Sequence, residues 1–117
     1  MLSKQRASIM GALRQVARYS PEKESALQMA LLPDITGSRG GMRYRCNQCG
    51  GAFSRKEVHV DHKEPVVPVF MTLEEMTWDT IIARLFCEPD KLQVLCKPCH
   101  LKKSKEENKE RRANRRK

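Results

Sequence analysis

Four of the five cysteines in this sequence form two closely spaced pairs, a pattern typical of metal binding. Cys46 and Cys49 form one C-x-x-C motif, and Cys96 and Cys99 form the other. Four thiolates at this spacing suit a closed, tetrahedral Zn²⁺ site, whose binding free energy adds to the folding free energy of a small domain. A redox dithiol, or simple burial of the thiols, is the alternative. We predict a structural zinc ion held by these four residues.

The fifth cysteine, Cys87, is expected to have a different role. It lies in an apolar segment with helical spacing, where a free thiol behaves as a small hydrophobic side chain. We therefore predict that Cys87 is a core residue and not a metal ligand.

Two of the three histidines lie in the stretch H-V-D-H, residues 59–62, and the third, His100, directly follows Cys99. Alternating apolar and polar residues predict a strand there, and Pro98 predicts a helix that begins near His100. A carboxylate and an imidazole that meet from two elements can hold one divalent ion and leave positions open for water and substrate. We expect Asp61, His62 and His100 to face one another across a cleft.

Three motifs in this order, C-x-x-C, H-V-D-H-x-x-P and L-Q-V-L-C-x-x-C-H-x-x-K, resemble those of the HNH endonucleases. The similarity covers residues 43–105 and is greatest to the small zinc-stapled members common in tailed bacteriophages. It implies an α+β fold with a ββα-metal (His-Me finger) core and a four-cysteine zinc staple. Additional N-terminal and inserted helices would surround that core.

The resemblance also implies roles for individual residues. His62 matches the general base that takes a proton from the attacking water, while Asp61 and His100 match the ligands of a catalytic divalent cation. Mg²⁺, Mn²⁺, Ni²⁺ and Zn²⁺ all suit such a ligand set. His59 is either a further metal ligand or a solvent-facing histidine. A structural histidine at His62 and an additional zinc ligand at His100 are the alternatives.

One position departs from the family pattern. The asparagine that orients the loop bearing the base falls nine residues before the helix histidine, and here that position is Lys91. A lysine offers donors only, although the neighbouring Asp90 could supply an acceptor. The departure leaves the role of this asparagine open more than it does the base or the metal ligands.

The length predicts one domain over residues 1–117, which the resemblance identifies as an HNH nuclease domain. Basic helices are expected in residues 1–33, the first over 3–19 with Ile9, Leu13 and Val16 on its apolar face. A glycine-rich loop is expected over 34–41. The predicted core of residues 43–105 contains short extended pieces at 43–46 and 52–53, strands at 58–62 and 92–95, and an inserted helix at 73–87. A basic helical tail is predicted over 102–117.

The formal net charge of +9 indicates a polyanionic partner, and the charge is concentrated in the tail. Residues 102–117 hold nine basic residues and three glutamates. A solvated helix with Glu–Lys pairs is the alternative, but such pairing does not need this excess of positive charge. We predict contacts with DNA backbone, insensitive to sequence, from Lys102, Lys103, Lys105, Arg111, Arg112, Arg115 and Arg116.

No apolar run approaches the roughly 18 residues of a membrane span, and the N-terminus lacks the apolar core of a signal peptide. We therefore expect a soluble cytoplasmic protein, in the host cytoplasm if phage-encoded, with no membrane partner. The predicted function is that of a metal-dependent DNA endonuclease that nicks as a monomer, since one such site cuts one strand. The alternatives are a non-catalytic zinc-stapled DNA-binding module and a nuclease subunit active only with phage terminase or portal proteins.

Overall fold

Two helices open the chain in the computed structural model, which describes residues 2–37 and 40–115. Helix α1 spans Ser3–Arg18 and α2 spans Pro21–Met29. The Ser20 hydroxyl accepts a hydrogen bond from the Lys23 backbone N–H, and Pro21 occupies the first turn, so α2 begins as soon as α1 ends. Both predicted N-terminal helices are confirmed.

The buried face of α1 differs from the predicted one. Met10 and Ala17 are buried and Leu13 is partly buried, whereas Ile9 and Val16 are exposed. The prediction that Ile9 and Val16 face the core was wrong. Met10, Leu13 and Ala17 also follow helical spacing, and α1 packs with that stripe against the inserted segment instead.

A three-stranded antiparallel sheet follows α2, in the order β1 (Leu31–Thr36), β2 (Met42–Arg45) and β3 (Ala52–Phe53). Strands β2 and β3 match the predicted extended pieces. The predicted loop at 34–41 was wrong in its first half, because β1 continues to Thr36, where it pairs with Met42. Pro33 is tolerated since β1 is an edge strand with one neighbour.

The second sheet is an antiparallel ribbon of β4 (Val58–His62) and β5 (Leu92–Cys96). Its register runs from Val58 opposite Cys96 to His62 opposite Leu92. Helix α4 (Lys97–Arg115) begins at the residue after β5, so its first turn lies beside the ribbon. The α+β class is confirmed, and both strands of this ribbon were predicted.

The segment between β4 and β5 contains a shorter helix than predicted. A 3₁₀ turn at Leu73–Glu75 precedes α3, which spans Trp78–Leu85. The helix starts late because the Thr77 hydroxyl accepts a hydrogen bond from the Thr80 N–H and caps it there. The predicted helix at 73–87 was therefore too long, and Cys87 lies beyond its end, partly exposed rather than in the core.

Three arginines from three helices hold the irregular part of this inserted segment. Arg84 of α3 donates hydrogen bonds to the carbonyls of Pro65 and Val66 at 2.7 and 2.8 Å. Arg111 of α4 donates to those of Val67 and Pro68. Arg6 of α1 donates to the carbonyls of Leu73 and Met76, and its guanidinium stacks over the Trp78 ring at 4.7 Å. These side-chain donors supplement the main-chain hydrogen bonds of the segment, in which the Pro68 and Leu73 carbonyls also accept from the N–H groups of Met71 and Met76.

Three small clusters form the core. The largest joins α1 to the inserted segment and consists of Met10, Ala17, Val66, Met76, Ile81 and Leu85. A second joins α2 to both sheets through Leu27, Tyr44, Val58 and Val94. The third surrounds Cys46, Leu95 and Cys96. None of the helices within residues 2–37 and 40–115 is both long and apolar enough to cross a bilayer.

The neighbouring residues Ile81 and Ile82 allow a matched test of the first cluster. Ile81 is fully buried, whereas Ile82 is 43% exposed. We expect Ile81→Ala to lower the free energy of unfolding by about 3 kcal/mol, because it leaves a cavity in the core, and Ile82→Ala to lower it by less than about 1 kcal/mol. Urea unfolding of both variants measures the difference, and equal losses would contradict this core assignment.

Candidate active site

The ribbon and the first turn of α4 bring the predicted site residues together. Asp61 Oδ1 lies 4.0 Å from His100 Nε2. Both side chains, together with His62, line one cleft of about 630 Å³ between α1, the inserted segment and α4. This meeting depends on the β4–β5 register and on the direct passage from β5 into α4.

A backbone carbonyl orients the His62 ring. His62 Nε2 lies 3.0 Å from the carbonyl oxygen of Leu85, the last residue of α3. Because a carbonyl oxygen only accepts hydrogen bonds, Nε2 carries the proton, and in the neutral ring Nδ1 keeps the lone pair. The arrangement leaves one ring nitrogen free to accept a proton.

The charge state of His62 suits the same role. Burial is the largest cause of a pKa below the usual histidine value, and the positive charges of Lys23 and Arg14 lower it further. The contact with the Leu85 carbonyl and the charge of Asp61 act in the opposite direction, but more weakly in sum. The imidazole is therefore neutral at pH 7 and can act as a base.

The loop that follows His62 is held through main-chain atoms at the position where the family has its asparagine. The backbone N–H of Lys63 donates to the Lys91 carbonyl at 3.0 Å. This contact is independent of the side chain at position 91. This hydrogen bond and the contact of His62 with the Leu85 carbonyl were not predicted from the sequence. Every residue has a main-chain N–H or carbonyl, so such partners cannot be recognised from side-chain type.

Asp61 has a second neighbour, Lys103, which was predicted from the sequence as a DNA contact. Lys103 Nζ lies 2.9 Å from Asp61 Oδ2 and 2.9 Å from Glu107 Oε2. Burial alone would lower the pKa of Lys103, but its contacts with Glu107 and Asp61 outweigh burial and raise it. Lys103, predicted as a DNA contact, thus points into the cleft as a charged partner of two carboxylates.

His59 lies next to His100 at the outer edge of this group. The two rings stack with centroids 4.7 Å apart and an interplanar angle of 27°. Burial, followed by the charge of His100, lowers the pKa of His59. His59 thus contacts the His100 ring, whereas Asp61 and His100 are the pair that lines the cleft.

The four paired cysteines converge at the opposite end of the ribbon. One Sγ atom from each of Cys46, Cys49, Cys96 and Cys99 lies within 4.8 Å of the others, and the Cys49 and Cys96 sulfurs are 3.9 Å apart. Tetrahedral Zn²⁺ with Zn–S bonds of about 2.3 Å would need sulfurs about 3.8 Å apart. The cluster is positioned to bind a metal ion. Cys87, as predicted, is not part of it.

The thiols of this cluster have unequal affinities for protons. Burial acts to raise the pKa of Cys46, but hydrogen bonds from the backbone of Cys49, Cys96 and Gln48 outweigh it and lower the pKa to about 6. The contact with Cys96, together with burial, raises the pKa of Cys99 to about 12. Crowded thiolates disfavour one another in the absence of a cation, which is the situation that a bound divalent metal relieves.

A turn built on glycine makes the first half of the cluster. Gly50 has a φ of 76°, and its N–H donates to the Cys46 carbonyl at 2.9 Å. The Gly51 carbonyl accepts from the Cys46 N–H at 2.9 Å. The left-handed conformation at Gly50, which other residues rarely adopt, turns the chain so that both thiols face β5.

Helix α4 divides the predicted DNA-binding residues into two groups. Lys103 and Arg111 lie on its inner face and have partners in the protein, as described above. Four others are exposed to solvent: Lys102, Lys105, Arg112 and Arg115. Arg116 lies outside the described residues.

The inner and outer faces of α4 can be compared through adjacent arginines. Arg111 lies against two carbonyls of the inserted segment, while Arg112 is exposed. We expect Arg111→Met to lower the free energy of unfolding by about 1–3 kcal/mol, because the carbonyls of Val67 and Pro68 each lose a charged donor, and Arg112→Met to leave it nearly unchanged. Thermal unfolding of the two variants checks this, and an equal effect would mean that Arg111 does not hold the segment.

Comparison with known proteins adds one relative. The chain is 39% identical over 62 residues to a protein of Lactococcus phage SK1 named "Probable HNH endonuclease". The match covers 52% of this chain and 54% of that protein, so it spans about half the length of each. No family model and no solved structure matches. The similarity confirms the resemblance to HNH endonucleases that the cysteine, histidine and aspartate motifs predicted.

Proposed function

We propose that this protein is a metal-dependent DNA endonuclease that nicks one strand, with His62 as the general base. The observation that carries the proposal is the shared cleft, in which Asp61 faces His100 and His62 has a free Nδ1. The β4–β5–α4 order supports a ββα-metal core at this place. The similarity to a phage protein of that name supports the reaction class.

The residues present fit a divalent cation in the cleft. Asp61 offers a carboxylate oxygen and His100 an imidazole nitrogen, a pair of hard and intermediate ligands that leaves coordination positions open. A cation held there would supply charge stabilisation for the phosphate oxygens and the leaving 3′ oxygen. The Lys103 ammonium, 2.9 Å from Asp61 Oδ2, is the cation that pairs with this carboxylate in the structure.

His62 performs the proton transfer. As a water oxygen forms its bond to phosphorus and the bond to the 3′ oxygen breaks, Nδ1 takes the proton of the water. The resulting imidazolium still donates through Nε2 to the Leu85 carbonyl, whose dipole lies at the C-terminus of α3 and stabilises positive charge. The base is therefore oriented before the reaction and supported after it.

The competing proposal is a zinc-stapled DNA-binding module without catalysis. Two observations favour it: lysine stands in place of the asparagine at position 91, and the Lys103 ammonium lies on Asp61 where a metal ion would compete with it. The two functions differ in whether the protein cuts DNA, so only the endonuclease has an activity that removal of the His62 imidazole can abolish.

Nicking of supercoiled plasmid separates the two proposals. We expect wild-type protein to nick in at least one of Mg²⁺, Mn²⁺, Ni²⁺ or Zn²⁺, and His62→Ala to reduce the rate by about 10²-fold or more, since a general base contributes that much. DNA affinity and melting temperature of the variant should match wild type, apart from the lost Leu85 contact. Indistinguishable behaviour of both proteins in all four ions would leave only the binding module.

We also propose that the cysteine cluster holds a structural Zn²⁺ ion. Cys49 and Cys87 provide a matched pair, because only Cys49 belongs to the cluster. We expect Cys49→Ser to lose zinc and to lower the free energy of unfolding by several kcal/mol, while Cys87→Ser keeps one zinc per chain. Metal analysis and thermal melting measure both effects. Retention of zinc and of the melting temperature in Cys49→Ser would refute the proposal.

A further inference from the structure

A second basic cleft adjoins the candidate active site. We call it the α1–α2 cleft, and it is about 650 Å³ in volume. Its lining includes Arg18, Lys23, Arg55, His59 and Val60. Because β4 passes both clefts, His59 and Val60 line this one, while Asp61 and His62 line the catalytic one. The two clefts therefore follow one another along the same strand.

The charge of the α1–α2 cleft suits an anion. It contains the cations Arg18, Lys23 and Arg55 and one carboxylate, Glu24. The Glu24 carboxylate accepts a hydrogen bond from Gln28 at 3.1 Å rather than pairing with these cations. Within the described part of the chain, no carboxylate lies within ion-pair distance of Arg18 or Lys23, so both are available to a ligand.

Lys23 lines the α1–α2 cleft, and its charge also acts on Asp61 and His62 of the candidate active site. It is partly buried, and burial is the largest cause that lowers its pKa, with repulsion from Arg18 and Arg14 adding to it. Attraction from Asp61 opposes this effect, and the charge of Lys23 in turn lowers the pKa of His62. An ammonium that is partly desolvated and crowded by other cations would gain from an anion beside it.

We propose that the α1–α2 cleft binds a backbone phosphate of the DNA close to the bond that is cut, with Lys23 and Arg18 as its ligands. The inference rests on the proposed endonuclease function. Two residues of strand, from His59 to Asp61, span about 6.6 Å. Base pairs rise about 3.4 Å each along the DNA axis, so neighbouring phosphates of a bound strand are spaced on this same scale. A strand whose phosphate lies over Asp61 and His100 thus has another within reach of this cleft.

The first test is DNA binding without cleavage. Lys23→Gln, Arg18→Gln and the control Lys56→Gln each remove one positive charge, but Lys56 is exposed and does not line the cleft. Fluorescence anisotropy of a labelled duplex in Ca²⁺ over a salt series gives the slope of log K against log[salt]. We expect each cleft variant to reduce this slope by about 0.9, the value for one lost phosphate contact, and Lys23→Arg to restore it. Slopes for both cleft variants equal to that of Lys56→Gln would overturn the proposal.

The second test is the kinetics of nicking. Arg18→Gln is the variant for this test, because the charge of Lys23 also acts on His62. Since the bound phosphate does not react, loss of the Arg18 contact should raise KM several-fold and leave kcat nearly unchanged. If wild-type protein does not nick, but the salt slope is smaller in the two cleft variants than in Lys56→Gln, the endonuclease function is refuted and the phosphate site is retained. If wild-type protein nicks, but the cleft variants have the same KM and the same salt slope as Lys56→Gln, only the phosphate site is refuted. Melting temperatures verify that each variant is folded.

Discussion

Antiparallel pairing of β4 with β5 positions the side chains of both the candidate active site and the cysteine cluster. Five consecutive pairs, from Val58 opposite Cys96 to His62 opposite Leu92, define the register. Since α4 begins at the next residue, the same register carries His100 back to Asp61. A slip of one residue would turn Asp61 to the other face of the ribbon. The cysteine cluster lies at the end where Cys96 terminates β5, so a metal ion bound there would hold the register from the end opposite His62.

Sequence pattern predicted the parts of the site that depend on local spacing. Few residue types can act as metal ligands. The two C-x-x-C motifs and the order of Asp61, His62 and His100 are therefore recognisable from residue type and spacing alone. The carbonyl of Leu85, 23 residues from His62, could not be predicted in this way, because any residue has a carbonyl. The same applies to the Lys63–Lys91 backbone contact.

Secondary structure was predicted least well where two physical signals compete. In β1, Pro33 and the following glycines favour a loop, but pairing with β2 extends the strand to Thr36. In the inserted segment, apolar residues at helical spacing favour a long helix, but two caps compete. The Glu75 carboxylate accepts from the Thr72 N–H, and the Thr77 hydroxyl accepts from the Thr80 N–H. The second cap starts the helix at Trp78. For α1, two apolar stripes were available, and contact with the inserted segment selected the one that contains Met10 and Ala17.

The three arginines that bind the carbonyls of the inserted segment also bear on the order of folding events. Arg84, Arg111 and Arg6 are separated from their partners by about 18, 44 and 70 positions along the chain. Loop closure makes such distant contacts slow to form, and the segment has little regular structure of its own to form earlier. The cleft wall made by this segment should therefore be completed late, after α1, α3 and α4 have docked, and the candidate active-site cleft would be among the last parts of the molecule to mature.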